Sequence, residues 1–229
     1  MIELKGVTVK DGAKDFEAPV DLRLNNGKIY GVCAKAEERT LLFELLAAMR
    51  LPSSGEVLIN GFDTVREEKK ARSFLSPVPD EALLYSSMTV LEYLLFIADA
   101  YGIDSQRVLR KISDVLDFTE LSVKRNLLIK TLSFYEKKRL SLAHALLSPG
   151  NIYLINTPFQ GLTPPQKKHF EELLEDTFDG STAILFDATP NDISVLCNAV
   201  YTFCDGGIHT VGSQNTDDLN TNKEEEDNV

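Results

Sequence analysis

Two short, uninterrupted apolar runs, Ile152-Tyr153-Leu154-Ile155 and Thr182-Ala183-Ile184-Leu185-Phe186, restrict the architectures open to this chain. Runs of this length without polar alternation suit strands covered on both faces, as in parallel sheets. The stretch between them, Pro164 to Asp176, begins with two prolines, which suit a helix's first turn because its N–H groups lack intrahelical partners anyway. Strand, helix, strand in this order implies a right-handed crossover onto one sheet. An α/β core is the expectation.

The rest of the chain extends that core. Ile2 to Val9, Val20 to Leu24, Lys28 to Cys33 and Glu56 to Ile59 read as strands, with Asn25-Asn26-Gly27 as a turn. Between Glu37 and Met49, the residues Leu41, Leu42, Leu45, Leu46 and Met49 recur at helical spacing, whereas Arg66 to Arg72 reads as a charged connector. Helical periodicity returns in Met88 to Tyr101, Asp104 to Leu116 and Tyr135 to Leu147, with Asp104 as an N-cap.

Between Thr131 and Pro164 the order of motifs is more specific. Leu132-Ser133 opens a helix, the apolar strand ends in Asn156-Thr157-Pro158, and Gly161-Leu162-Thr163-Pro164 follows. This layout resembles the ATP-binding-cassette (ABC) ATPase family. Its helix opens with Leu-Ser-Gly-Gly-Gln, its strand ends in Asp-Glu-Pro, and Gly-Leu-Asp-Pro comes next. Lys28-Ile29-Tyr30-Gly31, the segment Ser54 to Gly61, Met88-Thr89-Val90 and Asp205-Gly206-Gly207 also fall in family order, so the likeness runs from about Ile2 to Gly212. It implies a P-loop NTPase-like fold over residues 1–212, with a mixed-sheet core, an antiparallel β subdomain and a helical subdomain at about 88–147.

The positions that carry the family's chemistry are altered. A phosphate loop turns glycine-rich backbone N–H groups toward phosphates at a helix N-terminus and adds a Lys and a Mg²⁺-binding hydroxyl. Here Ala34-Lys35-Ala36-Glu37-Glu38-Arg39-Thr40 offers no glycine and is about two residues shorter than the family's loop. Glu37 and Glu38 complement the helix dipole in the first turn and repel a phosphate seeking the same place. Lys35 and Arg39 read as solvated charges beside them, and Thr40 lacks company for a metal.

Resemblance extends the series of losses. Phe134 and Tyr135 replace the two glycines, Asn156 the magnesium-binding Asp, Thr157 the catalytic Glu, Ala188 the switch His, and Asp80 the Gln before the helical subdomain. Pro77 and Pro79 mark the surroundings of Asp80 as a surface loop. Lys10, Asp11 and Gly12 stand where an aromatic normally stacks on adenine. Ser133 and Glu136 have capping-box spacing, so the helix is expected to close its own N-terminus.

Composition narrows the possible partners. The net charge of −11, from 35 acidic against 24 basic residues, argues against a nucleic-acid partner, which needs clustered Lys and Arg. Cys33, Cys197 and Cys204 lack metal-ligand spacing and His144, His169 and His209 are scattered, so no metal site is expected and reduced thiols fit a cytoplasmic setting. Apolar stretches are broken by Glu44 and Glu92 and fall short of the roughly 20 residues of a membrane helix, so membrane contact is expected through a partner. From Ser213 onward six acidic residues face Lys223 alone, which predicts a disordered tail over 213–229.

The resemblance implies a structural or regulatory, non-hydrolytic partner of a membrane-embedded transporter subunit, free to form homo- or heterodimers with another cassette ATPase and needing no cofactor. Leu83, Leu84, Tyr85 and Met88 fall where the family docks its membrane subunit. The alternative is a subunit that binds ATP and Mg²⁺ in an atypical site completed by a competent partner. No Ser/His/Asp, Cys/His or paired-carboxylate arrangement points to another enzyme.

Overall fold

The computed structural model describes residues 1–9, 16–78, 84–204 and 207–213. Its strands form two sheets. Strands β1 (Ile2–Val9), β2 (Phe16–Leu24), β4 (Ser54–Ile59) and β5 (Phe62–Asp63) make a four-stranded antiparallel sheet in the order β2-β1-β4-β5. The second sheet has six strands: β3 (Ile29–Cys33), β6 (Leu75–Val78), β7 (Ile152–Asn156), β8 (Thr182–Asp187), β9 (Ala199–Cys204) and β10 (Gly207–Ser213). Its order is β10-β9-β3-β8-β7-β6, parallel from β9 to β6 and closed by an antiparallel hairpin at β10.

The strands of this mixed sheet send alternate side chains to its two faces, as the pleat requires. Ile152, Leu154, Ile184 and Phe186 join a cluster shared with β1, β2, β4 and helix α1 (Ala36–Leu46). On the other face, Tyr153, Ile155, Ala183 and Leu185 pack with helix α6 (Pro164–Phe178), which buries Phe170, Leu173, Leu174, Thr177 and Phe178 at helical spacing. Double coverage explains why both runs carry apolar residues at consecutive positions.

Helices α3 (Val90–Ala100), α4 (Ser105–Phe118) and α5 (Phe134–Leu147) build a third cluster around Tyr93, Leu94, Ile112, Leu116 and Leu140. Helix α5 belongs to two layers: Leu142 and Ala145 face the sheet cluster, whereas Leu140, Ala143 and Leu147 face the helical one. A helix covered on two sides has little use for a polar face. Asp104 caps α4 by accepting from Gln106 N (2.7 Å). Inside the helical layer His144 bridges two tyrosines, with Tyr93 Oη 2.7 Å from Nδ1 and Tyr101 Oη 3.1 Å from Nε2. Burial lowers the His144 pKa, so its neutral form is favoured.

Two expectations need correction. The charged connector contains a short helix, α2 (Glu68–Arg72), anchored where Arg72 Nη2 donates to Ala48 O (2.6 Å). Pro77 lies inside β6, opposite Leu154, and not in a loop. Strand β6 is the edge of its sheet, where a missing N–H breaks no ladder bond. The hairpin of β9 and β10, with the four-residue helix α7 (Pro190–Ile193) before it, had no sequence signal strong enough to read. Of the tail expected over 213–229, Ser213 ends β10 and residues 214–229 lie outside the described residues.

Gly150 shows how tightly the edge is built. Ser148 Oγ donates to Leu75 O (3.2 Å), Ser76 Oγ donates to Gly150 O (3.0 Å), and a Cβ on Gly150 would stand 2.6 Å from the Leu75 carbonyl carbon. Gly150→Ala should therefore destabilise the fold by about 1–3 kcal/mol in urea denaturation, as overpacking against backbone generally does. An unchanged midpoint would mean that the 148–151 turn moves away from β6 freely.

Candidate functional site

The candidate site lies where β3, β7 and β8 end and α1 begins. Ala34 N donates to Asp187 O (3.0 Å), which ties the turn after β3 to the end of β8. Lys35 occupies the N-cap position of α1 without a side-chain cap bond and is exposed. Glu37 and Glu38 lie in the first turn, so carboxylates take the place an anion would seek. Thr40 Oγ1 donates back to Ala36 O (2.9 Å), an intrahelical bond on an exposed residue.

Arg39 departs from the expectation of a solvated charge. Its Nε donates to Asn156 Oδ1 (3.1 Å) and its Nη1 to Ala34 O (3.4 Å), so the guanidinium spans from α1 to the end of β7. The physical reason is reach: Arg39 lies one turn into the helix on the side of β7, and a neutral amide there supplies an acceptor. Two altered positions thus satisfy each other. Sequence gave no sign of this pairing, since the partners stand 117 positions apart.

Thr157 follows with φ of 43°, an outlier for a β-branched residue. Its N–H donates to Phe186 O (2.7 Å), and its carbonyl accepts from Lys138 Nζ (2.9 Å), a buried lysine from α5. These bonds hold a conformation that typically costs about 1–3 kcal/mol. Lys138 was not among the positions singled out from sequence, where it reads as one more charge in Lys137-Lys138-Arg139.

Arg39, Thr157, Phe159, Gln160, Asp187, Ala188 and Asp192 line a cavity of about 280 Å³. Ala188 is exposed at its rim and offers no titratable group. Asp187 is 8% exposed, and burial raises its pKa, opposed by the bond it accepts from Ala188 N (2.6 Å) and by the charge of Arg39. Lys167 Nζ holds Asp192 at 2.9 Å. Beneath the cavity the Cys33 thiol is pushed up to about 12, first by burial and then by Asp187, so it is not poised as a nucleophile.

The start of α5 is closed by its own side chains. Ser133 Oγ accepts from Glu136 N (3.3 Å), and Glu136 Oε2 accepts from Ser133 N (2.8 Å), the reciprocal capping box. That second bond holds the Glu136 carboxyl below its ordinary range. Phe134, 54% exposed, lies against Gly161, where a Cβ would meet its ring at 2.9 Å, and Lys138 Nζ sits 5.4 Å from the ring centre. Tyr135 turns inward, with its hydroxyl 2.8 Å from His169 Nδ1.

The expected partner-contact residues divide between two roles. Leu84 and Met88 are half-buried and pack on the helical cluster. Tyr85 is 49% exposed and meets Phe96, itself 46% exposed, edge to face at 5.5 Å. Phe96 lies off the buried stripe of α3, which is Val90, Tyr93, Leu94, Ile97 and Ala98, and no motif in the sequence marks it. Asp80 and Leu83 lie outside the described residues. Among the described residues no helix is long and apolar enough to cross a membrane.

Comparison with known proteins agrees with this geometry. The sequence profile of the family described as ABC transporter matches residues 19–160, a span containing both the start of α1 and Thr157. The linearmycin resistance ATP-binding protein LnrL of Bacillus subtilis is 21% identical over 93% of this chain and 70% of its own length. ABC transporter A family member 1 of Dictyostelium discoideum is 28% identical over 82% of this chain, which spans only 21% of that longer protein. Among solved structures, an ATP-binding subunit of an ABC transporter superposes with a TM-score of 0.80 at 18% identity, covering 92% of this chain and 90% of that one. A dimeric bacterial ABC transporter cassette gives 0.79 at 21% identity, covering 91% and 97%.

The buried carboxyl makes the site's pH response predictable. Because the pKa of Asp187 is raised above 3.8, its favourable contribution is complete below that value and is lost as pH rises through the folded-state pKa. Asp187→Asn should therefore melt above the parent at pH 7. The gap should close toward pH 3.5. A variant melting below the parent at pH 7 would show that the charge attracts Arg39 more than burial opposes it.

Proposed function

The chain belongs to the ABC transporter family, as a nucleotide-binding domain, and on that premise we propose that it is a non-hydrolysing cassette subunit. In this reading it serves as a structural or regulatory partner of a membrane-embedded transporter subunit. The observation that carries it is the bond from Arg39 Nε to Asn156 Oδ1. Hydrolysis by a cassette needs phosphates cradled by backbone N–H groups, Mg²⁺ held opposite them and a group that orients water. Here the cradle has no glycine, the magnesium position is a neutral amide already bonded to an arginine, and the water-orienting position is a threonine.

The residues present fit Mg²⁺ poorly. Hard cations select carboxylate and other oxygen ligands. Asn156 Oδ1 already accepts from Arg39, and the cation of Arg39 opposes a second positive charge nearby. The other half of the family's chemistry is obstructed as well, because Glu136 N donates to Ser133 Oγ and Ser133 N to Glu136 Oε2, while Phe134 and Tyr135 add bulk to the first turn of α5. A subunit that retains the fold without the chemistry keeps its value as a docking body.

Docking through the Tyr85 and Phe96 edge fits this reading. Exposed aromatics beside half-buried apolar side chains form the kind of patch that interfaces use. Of the relatives named above, LnrL is called an ATP-binding protein and the Dictyostelium protein an ABC transporter, and we extend the transporter link to this chain as part of the proposal.

Three measurements test it. Calorimetric titration with ATP and Mg²⁺ to millimolar concentration should give no saturable heat, and the pair Asn156→Asp with Thr157→Glu should show no turnover, because Arg39 would pair with the new carboxylate and the loop would still lack its cradle. Saturable binding by the parent would favour the alternative, an atypical ATP-binding subunit working with a competent partner. In cells, Tyr85→Asp with Phe96→Asp should weaken membrane association about thirtyfold or more, the scale of losing one interface hot spot, and lower the membrane-sedimenting fraction accordingly. An unchanged fraction would place the contact elsewhere.

A further inference from the structure

Four side chains outside the cavity form a closed polar ring. Tyr135 Oη stands 2.8 Å from His169 Nδ1, His169 Nε2 is 3.2 Å from Glu120 Oε1, and Glu120 Oε2 accepts from Arg139 Nη1 at 2.9 Å. Arg139 closes the ring by lying over the Tyr135 face, 4.9 Å from its centre. Glu120 sits in the turn after α4 at φ of 54°, between Leu116 and Leu121, both buried in the helical cluster. His169 lies on α6 next to Phe170, which belongs to the sheet cluster. The ring therefore spans two layers that also meet through α5 and through Phe118 at the end of α4.

Its chemistry suits a mechanical role. A neutral imidazole can accept from the tyrosine hydroxyl at Nδ1 while donating to the carboxylate at Nε2, so one side chain links both neighbours. The bond from Arg139 to Glu120 is charge-assisted, and Arg139 is largely buried, with a side-chain exposure of 11%. Tyr135 also meets Phe170 edge to face at 6.1 Å, which seats its ring on α6. A glycine at position 135, as in the intact motif, has no side chain to reach His169.

We propose that Tyr135, His169, Glu120 and Arg139 act as a strap that pins the helical layer to the sheet layer in one orientation without any ligand. This deepens the reading of a cassette used as a docking body, since a fixed pose presents the Tyr85 and Phe96 edge constantly. The strap can fail while that reading holds, and the reverse, because its test follows side-chain coupling and not nucleotide.

The test is hydrogen–deuterium exchange on the full chain, comparing α3 and α4 with β7 and β8 in Tyr135→Phe, His169→Leu and the double variant. Loss of one bond of the ring should speed exchange in α4 by about three- to tenfold, the scale of one hydrogen bond, and leave β7 and β8 unchanged. The double variant should exchange no faster than the more affected single, because both changes break the same chain of contacts. Unchanged α4 exchange, an equal rise throughout the molecule, or multiplied effects in the double variant would each overturn the proposal. If His169→Leu does not fold, Glu120→Gln takes its place, since it keeps the shape and removes the charge.

Discussion

The burial of α5 joins two of the three apolar clusters among the described residues. The helix lies between the mixed sheet and the helical layer, giving Leu142 and Ala145 to one and Leu140, Ala143 and Leu147 to the other. A helix covered on two sides cannot move relative to either neighbour without exposing apolar surface, at about 25 cal/mol for each Å². Its N-terminus must therefore lie close to the strand ends. That placement brings Lys138 to the carbonyl of Thr157 and Phe134 to Gly161.

From the same constraint follows the character of the candidate site. In a working cassette the polar groups at these strand ends point at a ligand. Here they point at one another: Arg39 at Asn156, Lys138 at Thr157, Lys167 at Asp192, and Ser133 at Glu136. The Lys138 to Thr157 pairing is buried and satisfies a group that would otherwise stand desolvated and unbonded, at a cost of about 1–3 kcal/mol, whereas the exposed Lys167 and Ser133 pairings save little. Residues that depart from the family's motifs are thus bonded to other residues of the chain at the strand ends.

The ring formed by Tyr135, His169, Glu120 and Arg139 repeats this logic at the other end of α5's first turns. A position that needs to be small for a ligand to approach has become large enough to bind its own neighbours. Phe134 faces outward and Tyr135 inward, so adjacent replacements meet different surroundings: one covers Gly161 and the other joins two layers.

Much of this was legible in the residues. Short doubly apolar runs dictate buried strands, the spacing of Leu41 to Leu46 dictates a helix, Ser133 with Glu136 dictates a capped one, and the absence of glycine before α1 removes a phosphate cradle. These are local rules, in which a side chain or a missing one acts on backbone within a turn or two. Pro77 in a strand, the helix at Glu68–Arg72 and the partner of Arg39 were not legible. An edge position tolerates a proline that a central one forbids, and only the order of strands says which is the edge. Likewise, whether Arg39 is solvated or bonded depends on where β7 ends, a contact across 117 positions that no local pattern encodes. The sequence by itself determined which residues stand at the motif positions, and the tertiary structure decided what those residues bond, because a motif is a matter of residue identity whereas a bond is a matter of distance.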